Sequence, residues 1–175
     1  MKVLVFVFAL FVSLIAICQD TGKIFAVRHA EKQSSDKDTP LSTLGKARAD
    51  CLAQTLKDAH ITAVFTTQYT RTKQTAEPTA KATNVKLTVL DANSNEELLK
   101  QAKAAAETGN VLIVGHSNTV PDIVAALGAP KPTIADDAYD LLFIVNEAAP
   151  QRLTTLHYCP NLPKDTSGIG SMMKP

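Results

Sequence analysis

Ile24-Phe25-Ala26-Val27-Arg28-His29-Ala30-Glu31 decides how this chain is read. Its first four residues form an apolar run with strand character, too short for a helix. A guanidinium fork and an imidazole follow at once, so both project from the C-terminal end of a buried strand, where open α/β sheets place their ligand sites. Far along the chain, Val111-Leu112-Ile113-Val114 ends in Gly115-His116-Ser117. Two buried strands that each deliver a histidine to one sheet edge point to a single active site for an anionic substrate.

Strands and helices alternate around these runs. Leu41, Leu44, Ala47, Cys51, Leu52 and Leu56 recur at helical spacing after a polar loop at 33–39. Ala63-Val64-Phe65 reads as a short strand, 72–82 as a helix and 87–90 as a further strand. An alanine-rich helix over 96–106 is expected to stop at Gly109, and a helix over 123–127 to be opened by Pro121 and closed by Gly128. Residues 141–145 and 153–158 complete the sheet, with a turn around Ala149-Pro150 that allows an antiparallel pair. The fold class is therefore α/β, a three-layer sandwich with a mostly parallel central sheet flanked by helices.

The 175 residues suffice for one domain with a real core. With 45% hydrophobic residues, 20% charged residues and a formal charge of +1, nothing favours nucleic acid or an anionic membrane surface as a partner. From Val3 to Cys18 the chain is almost wholly apolar, preceded by Lys2. The stretch is short for a bilayer-spanning helix and suits a signal peptide over 1–18, cleaved after Ala16-Ile17-Cys18. A permanent anchor and lipidation at Cys18 are the alternatives. The expected mature protein is exported, periplasmic or secreted, without stable membrane insertion. Its domain spans 19–159, followed by a loose tail over 160–175. Cys51 and Cys159 remain after cleavage, and an oxidising compartment permits a disulfide, though sequence does not supply the Cα separation. The sequence leaves the oligomeric state open.

Four segments occur in order: Val27-Arg28-His29-Ala30-Glu31, Leu41-Ser42-Thr43-Leu44-Gly45, Thr70-Arg71-Thr72-Lys73-Gln74-Thr75-Ala76, and Val114-Gly115-His116-Ser117. Together they resemble the histidine phosphatase superfamily, the phosphoglycerate-mutase-like group. The resemblance implies a phosphate monoester hydrolase working through a phosphohistidine, with a small-molecule or macromolecular phosphate ester as its partner. His29 is the nucleophile so implied, with Arg28, Arg71 and His116 catalytic and holding the phosphoryl group, and Ser117 beside them. The residue types suit that chemistry. Arginine forks match a phosphate dianion, and a neutral imidazole can carry a phosphoryl group. No metal or other cofactor is expected, since no cluster of His, Cys, Asp and Glu has metal-ligand spacing. The short interval between Arg71 and His116 leaves little room for the capping insertions of glycolytic mutases.

This sequence departs from the family pattern at three points, one of them Thr66-Thr67, which stands where members often have serine and can still hydrogen-bond near phosphate. Ala30 replaces the usual glycine after the histidine, which is harmless where φ is negative. The general acid is ambiguous among Glu31, Glu96, Glu97 and Asp140. Glu31 is favoured for its closeness to His29, with an ion pair or an arginine-orienting role as its bland alternative. Glu96 and Glu97 suit the start of a helix. His60 reads as a solvated turn residue and His157 as structural.

Two other functions fit parts of the chain. Gly115-His116-Ser117-Asn118-Thr119 approaches the nucleophile elbow of a serine esterase, with Ser117 attacking and His157 as base, but Thr119 stands where the turn wants glycine. A non-catalytic phospholigand-binding module would keep the arginines and need no acid.

Overall fold

A computed structural model of the chain describes residues 21–162. The expected signal peptide lies outside them, as does the expected tail beyond residue 162.

β1 (Ile24–Arg28) is followed by α1 (Thr43–Thr55), β2 (Ile61–Thr67), α2 (Thr70–Thr83), β3 (Leu87–Leu90), α3 (Asn95–Ala106), β4 (Asn110–Gly115), α4 (Thr119–Ala126), β5 (Leu141–Val145) and β6 (Leu153–His157). The strands form one sheet in the order β3-β2-β4-β1-β5-β6. The four strands from β3 to β1 run parallel, while β5 lies antiparallel to β1 and β6 antiparallel to β5. The expected sandwich with a mostly parallel sheet is the fold observed.

Strand alternation builds a core on each face. Ile24, Ala26, Val111 and Ile113 turn toward Leu98 and Ala102 of α3 and Ile123 and Val124 of α4. Phe25, Val27, Leu112 and Val114 turn the other way, toward Leu52 of α1 and Ala76 and Ala80 of α2. Burial on both sides explains why β1 and β4 read as continuous apolar runs rather than alternating ones.

Three element ends differ from the expectations, each for a local reason. α2 begins at Thr70 because the Asp38 carboxylate, from a distant loop, accepts the Thr70 N–H at 2.7 Å. α3 ends at Ala106, capped by Glu107, so Gly109 does not close it. Gly109 instead lets the chain pass close to Thr62, whose side chain would collide with a Cβ there. α4 starts at Thr119, ahead of Pro121, whose missing N–H lies in the first turn, where no intrahelical partner is needed. Gly128 does close α4, at φ +81°.

Cys51 of α1 and Cys159 after β6 form a disulfide, with their Cα atoms 6.5 Å apart. No helix among the described residues is long and apolar enough to cross a membrane.

Candidate active site

The site follows from one register. Arg28 at the end of β1 pairs with Gly115 at the end of β4, and the His29 N–H donates to the Gly115 carbonyl at 2.9 Å. His29 and His116 are thus set side by side, with ring centroids 5.4 Å apart in an edge-on arrangement. Both line a cleft of about 380 Å³ with Arg28, Lys32, Tyr69, Arg71, Asn93, Ser117, Asn118 and Thr119. The start of α4 supplies the last three of these, a helix end that favours anions.

His29 has a defined tautomer. Its Nδ1 lies 2.8 Å from the Ala30 carbonyl, which can only accept, so Nδ1 carries the proton. Burial, then the nearby Arg71, His116 and Arg28, push its pKa down to about 3, against the raising effect of that carbonyl. At neutral pH the ring is uncharged and the Nε2 lone pair is free. Ala30 has no positive φ, and its N–H donates to Thr75 Oγ1 at 3.0 Å, so the alanine fits the backbone path that holds His29.

His116 is held the opposite way. Arg71 Nη2, which can only donate, lies 3.4 Å from its Nδ1. The proton therefore sits on Nε2, 3.1 Å from Thr67 Oγ1. Thr67 passes its own proton to Thr72 Oγ1 at 2.8 Å, and Thr72 donates to the Tyr69 carbonyl at 2.8 Å. Burial first, then Arg71 and Arg28, lower the His116 pKa to about 4.

Each arginine is clamped on one side and open on the other. Arg28 Nη1 donates to the carbonyls of Ala135 at 3.1 Å and Asp136 at 2.8 Å, and its guanidinium lies 4.1 Å over the Tyr139 ring. Arg71 Nη1 donates to the Lys37 carbonyl at 2.7 Å, with its guanidinium 4.3 Å over Tyr69. In both, Nε is buried without a partner. A buried charged donor left unsatisfied is costly, and both guanidiniums belong to the lining of one cleft.

Glu31 is the correction. It does not line the cleft among the described residues. Its carboxylate instead grips Arg48, at 2.8 Å and 2.9 Å from Nε and 2.7 Å from Nη2. α1 approaches closely enough for this because Gly45 packs on the Glu31 backbone, where a Cβ would collide. Glu96 and Glu97 sit in the first turn of α3, and Asp140 binds His157 Nδ1 at 2.8 Å. None of the four expected acids reaches the cleft. Ser117 does, but β6, which carries His157, lies three strand positions from β4, about 14 Å across the sheet. A serine-esterase triad is not assembled. His60 is an exposed turn residue, as expected.

Sequence reasoning missed Tyr69, Tyr139, Lys32 and Asn93. One signal was available: the chain has only three tyrosines, and each packs on an arginine, Tyr158 on Arg48 being the third. Among the described residues no group of His, Cys, Asp and Glu is arranged to hold a metal ion. A larger groove of about 740 Å³ beside α2, lined by Lys73, Glu77, Lys81 and Lys86, contains neither histidine.

Fold and site together define an α/β domain with a neutral imidazole and two guanidiniums lining one cleft at the ends of its parallel strands. Residues 24–93 match the family model of the histidine phosphatase superfamily (branch 1). No curated protein matches it in sequence. Solved structures of similar fold include a protein assigned as the phosphohistidine phosphatase SixA from Agrobacterium tumefaciens. It is 22% identical, with TM-score 0.56 over 78% of this chain and 97% of that one. A mycobacterial glucosyl-3-phosphoglycerate phosphatase is 14% identical, with TM-score 0.62 over 78% and 98%. Bacillus stearothermophilus YhfR is 14% identical, with TM-score 0.60 over 78% and 96%. At these identities the likeness is one of fold.

Proposed function

We propose that this protein is an exported, metal-independent phosphatase that hydrolyses phosphate monoesters through a phosphohistidine at His29. The carrying observation is the Nδ1–Ala30 hydrogen bond, which leaves the His29 Nε2 lone pair free in a cleft lined by two arginines with unpartnered Nε donors. The phosphoryl dianion binds Arg28 and Arg71. Nε2 attacks phosphorus as the P–O ester bond breaks, the leaving oxygen keeps that electron pair and takes a proton from solvent, and water then displaces Nε2 to release orthophosphate. Charge stabilisation by the two guanidiniums, the principal term in such transfers, rises as negative charge develops on the equatorial oxygens. His116, fixed through Thr67 and Thr72, completes the pocket. Similar folds that are named as phosphatases support the reading. The Cys51–Cys159 bond supports the exported compartment.

The test is turnover of p-nitrophenyl phosphate in EDTA by purified protein. The wild type is expected to be active and to trap an acid-labile, alkali-stable phosphoenzyme on rapid quench, and His29→Ala to do neither. One observation favours a second reading, a non-catalytic phospholigand-binding module: no carboxylate lines the cleft among the described residues. Vanadate-competed binding without turnover on any phosphoester would establish it instead.

A further inference from the structure

Lys32 is a cation of the cleft that monoester hydrolysis does not use. Its position is built rather than loose. Its backbone forms a bridge with Leu41, whose N–H donates to Gln74 Oε1 at 2.8 Å, and the residue is half-buried. Among the described residues it has no carboxylate partner. The adjacent Glu31 is already committed to Arg48. Arg28, Lys32 and Arg71 therefore share a cleft that contains no Asp or Glu among the described residues.

Two consequences converge. Arg28 and Arg71 match the charge of one phosphoryl dianion, so an uncompensated third cation calls for a further negative charge on the substrate. An alkoxide leaving group needs a proton from an acid, and among the described residues no carboxylic acid lines the cleft to give one. A departing phosphate needs none, since it holds its second proton only below a pH of about 6. Of the remaining lining, Asn93, Ser117, Asn118 and Thr119 offer amide and hydroxyl groups that suit phosphate oxygens, beside Tyr69 and Ala92.

We infer that the substrate class is the terminal phosphoanhydride, with Lys32 holding the leaving phosphate. The inference rests on the phosphohistidine reading above. The bond from His29 Nε2 to the terminal phosphorus forms as the bridging P–O bond breaks. The electron pair of that bond stays on the inner phosphate, where the Lys32 ammonium meets it. Water then gives its hydroxyl to the phosphorus of phosphohistidine, Nε2 recovers its lone pair, and the water's proton goes to the orthophosphate formed or to solvent.

The experiment compares inorganic pyrophosphate, β-glycerol phosphate and p-nitrophenyl phosphate in EDTA. Pyrophosphate is expected to exceed β-glycerol phosphate in kcat/KM by ~10²-fold or more, the usual contribution of a general acid that only the alkyl ester needs. Lys32→Met is expected to lower the ratio of kcat/KM for pyrophosphate to that for p-nitrophenyl phosphate by about 10-fold, as for a lost charged hydrogen bond. Lys32→Arg should keep most of that ratio. Turnover of p-nitrophenyl phosphate with pyrophosphate no better than β-glycerol phosphate would overturn the inference and leave the monoesterase reading standing. An unchanged ratio in Lys32→Met would do the same. Inactivity on all three compounds would overturn both.

Discussion

The imidazoles of His29 and His116 stand 5.4 Å apart with opposite proton placements, Nδ1–H in His29 and Nε2–H in His116. The backbone fixes one and a threonine chain the other. Both placements depend on the rings being neutral, which burial and the two arginines enforce. The geometry thus leaves the His29 Nε2 lone pair free and turns the other ring's lone pair toward Arg71.

This neutrality makes stability depend on pH in a defined direction. Unfolded, both histidines titrate near 6.5, and folded they titrate at about 3 and about 4. Between those values the unfolded chain binds more protons, so stability rises with pH. Their contribution is fully present above pH ~6.5 and is lost as pH falls through about 4 for His116 and about 3 for His29. Urea midpoints should therefore drop from neutral to acidic buffer, and drop less in His29→Asn. An equal drop in both proteins would show that His29 is not held neutral by the fold.

The Glu31–Arg48 pair predicts a structural phenotype. Their side chains are only 15% and 9% exposed, and removing one partner from such a pair costs on the order of 3 kcal/mol. Glu31→Gln should lower the urea midpoint markedly. Its losses in kcat should be equal on an alkyl phosphate and on p-nitrophenyl phosphate. A selective loss on the alkyl phosphate would restore Glu31 as the proton donor.

The placement of Glu31 also marks the limit of what the sequence conveyed. β1 and β4 were legible because burial on both faces writes itself as unbroken apolar runs, and Arg28, His29 and His116 were legible because they sit at the ends of those runs. After Arg28 the chain leaves the sheet, strand alternation no longer sets direction, and nearness to His29 in sequence stopped implying a shared cleft. Tyr69 and Tyr139 were invisible for another reason. They act by stacking on arginines, and for Tyr139 the partner lies 111 positions away, so no local pattern records the pairing. The place of β5 beside β1 likewise depends on which sheet edge was free, which is settled only in three dimensions.

Tyr139 therefore provides a test of positioning. Its ring lies under the Arg28 guanidinium at 4.1 Å, and its hydroxyl accepts from Arg28 Nη2 at 3.4 Å. Tyr139→Leu should raise KM by about 5-fold, the worth of a partly desolvated cation–π contact near 1 kcal/mol. Tyr139→Phe, which keeps the stacking, should recover most of it. If Phe were as poor as Leu, the hydroxyl rather than the ring would be the positioning element.

The disulfide ties this support to the redox state of the surroundings. Cys51 and Cys159 are 108 positions apart, and closing a loop of that order is worth up to about 4.7 kcal/mol in the chain-entropy account. The bond also anchors the segment that carries Tyr158, whose hydroxyl donates to the Tyr139 carbonyl at 3.0 Å. Arg48 Nη1 donates to the Cys159 carbonyl at 3.3 Å. Reduction, or the double change Cys51→Ser with Cys159→Ser, should lower the thermal midpoint. At temperatures where the protein stays folded it should raise KM more than it lowers kcat. The reason is that the path from Cys159 through Tyr158 and Tyr139 ends on Arg28, the proposed phosphate ligand, while His29 is held separately by Ala30 and Gly115. Measured kcat and KM with and without dithiothreitol decide the matter. A fall in kcat at constant KM would show that the disulfide supports the nucleophile rather than the arginine.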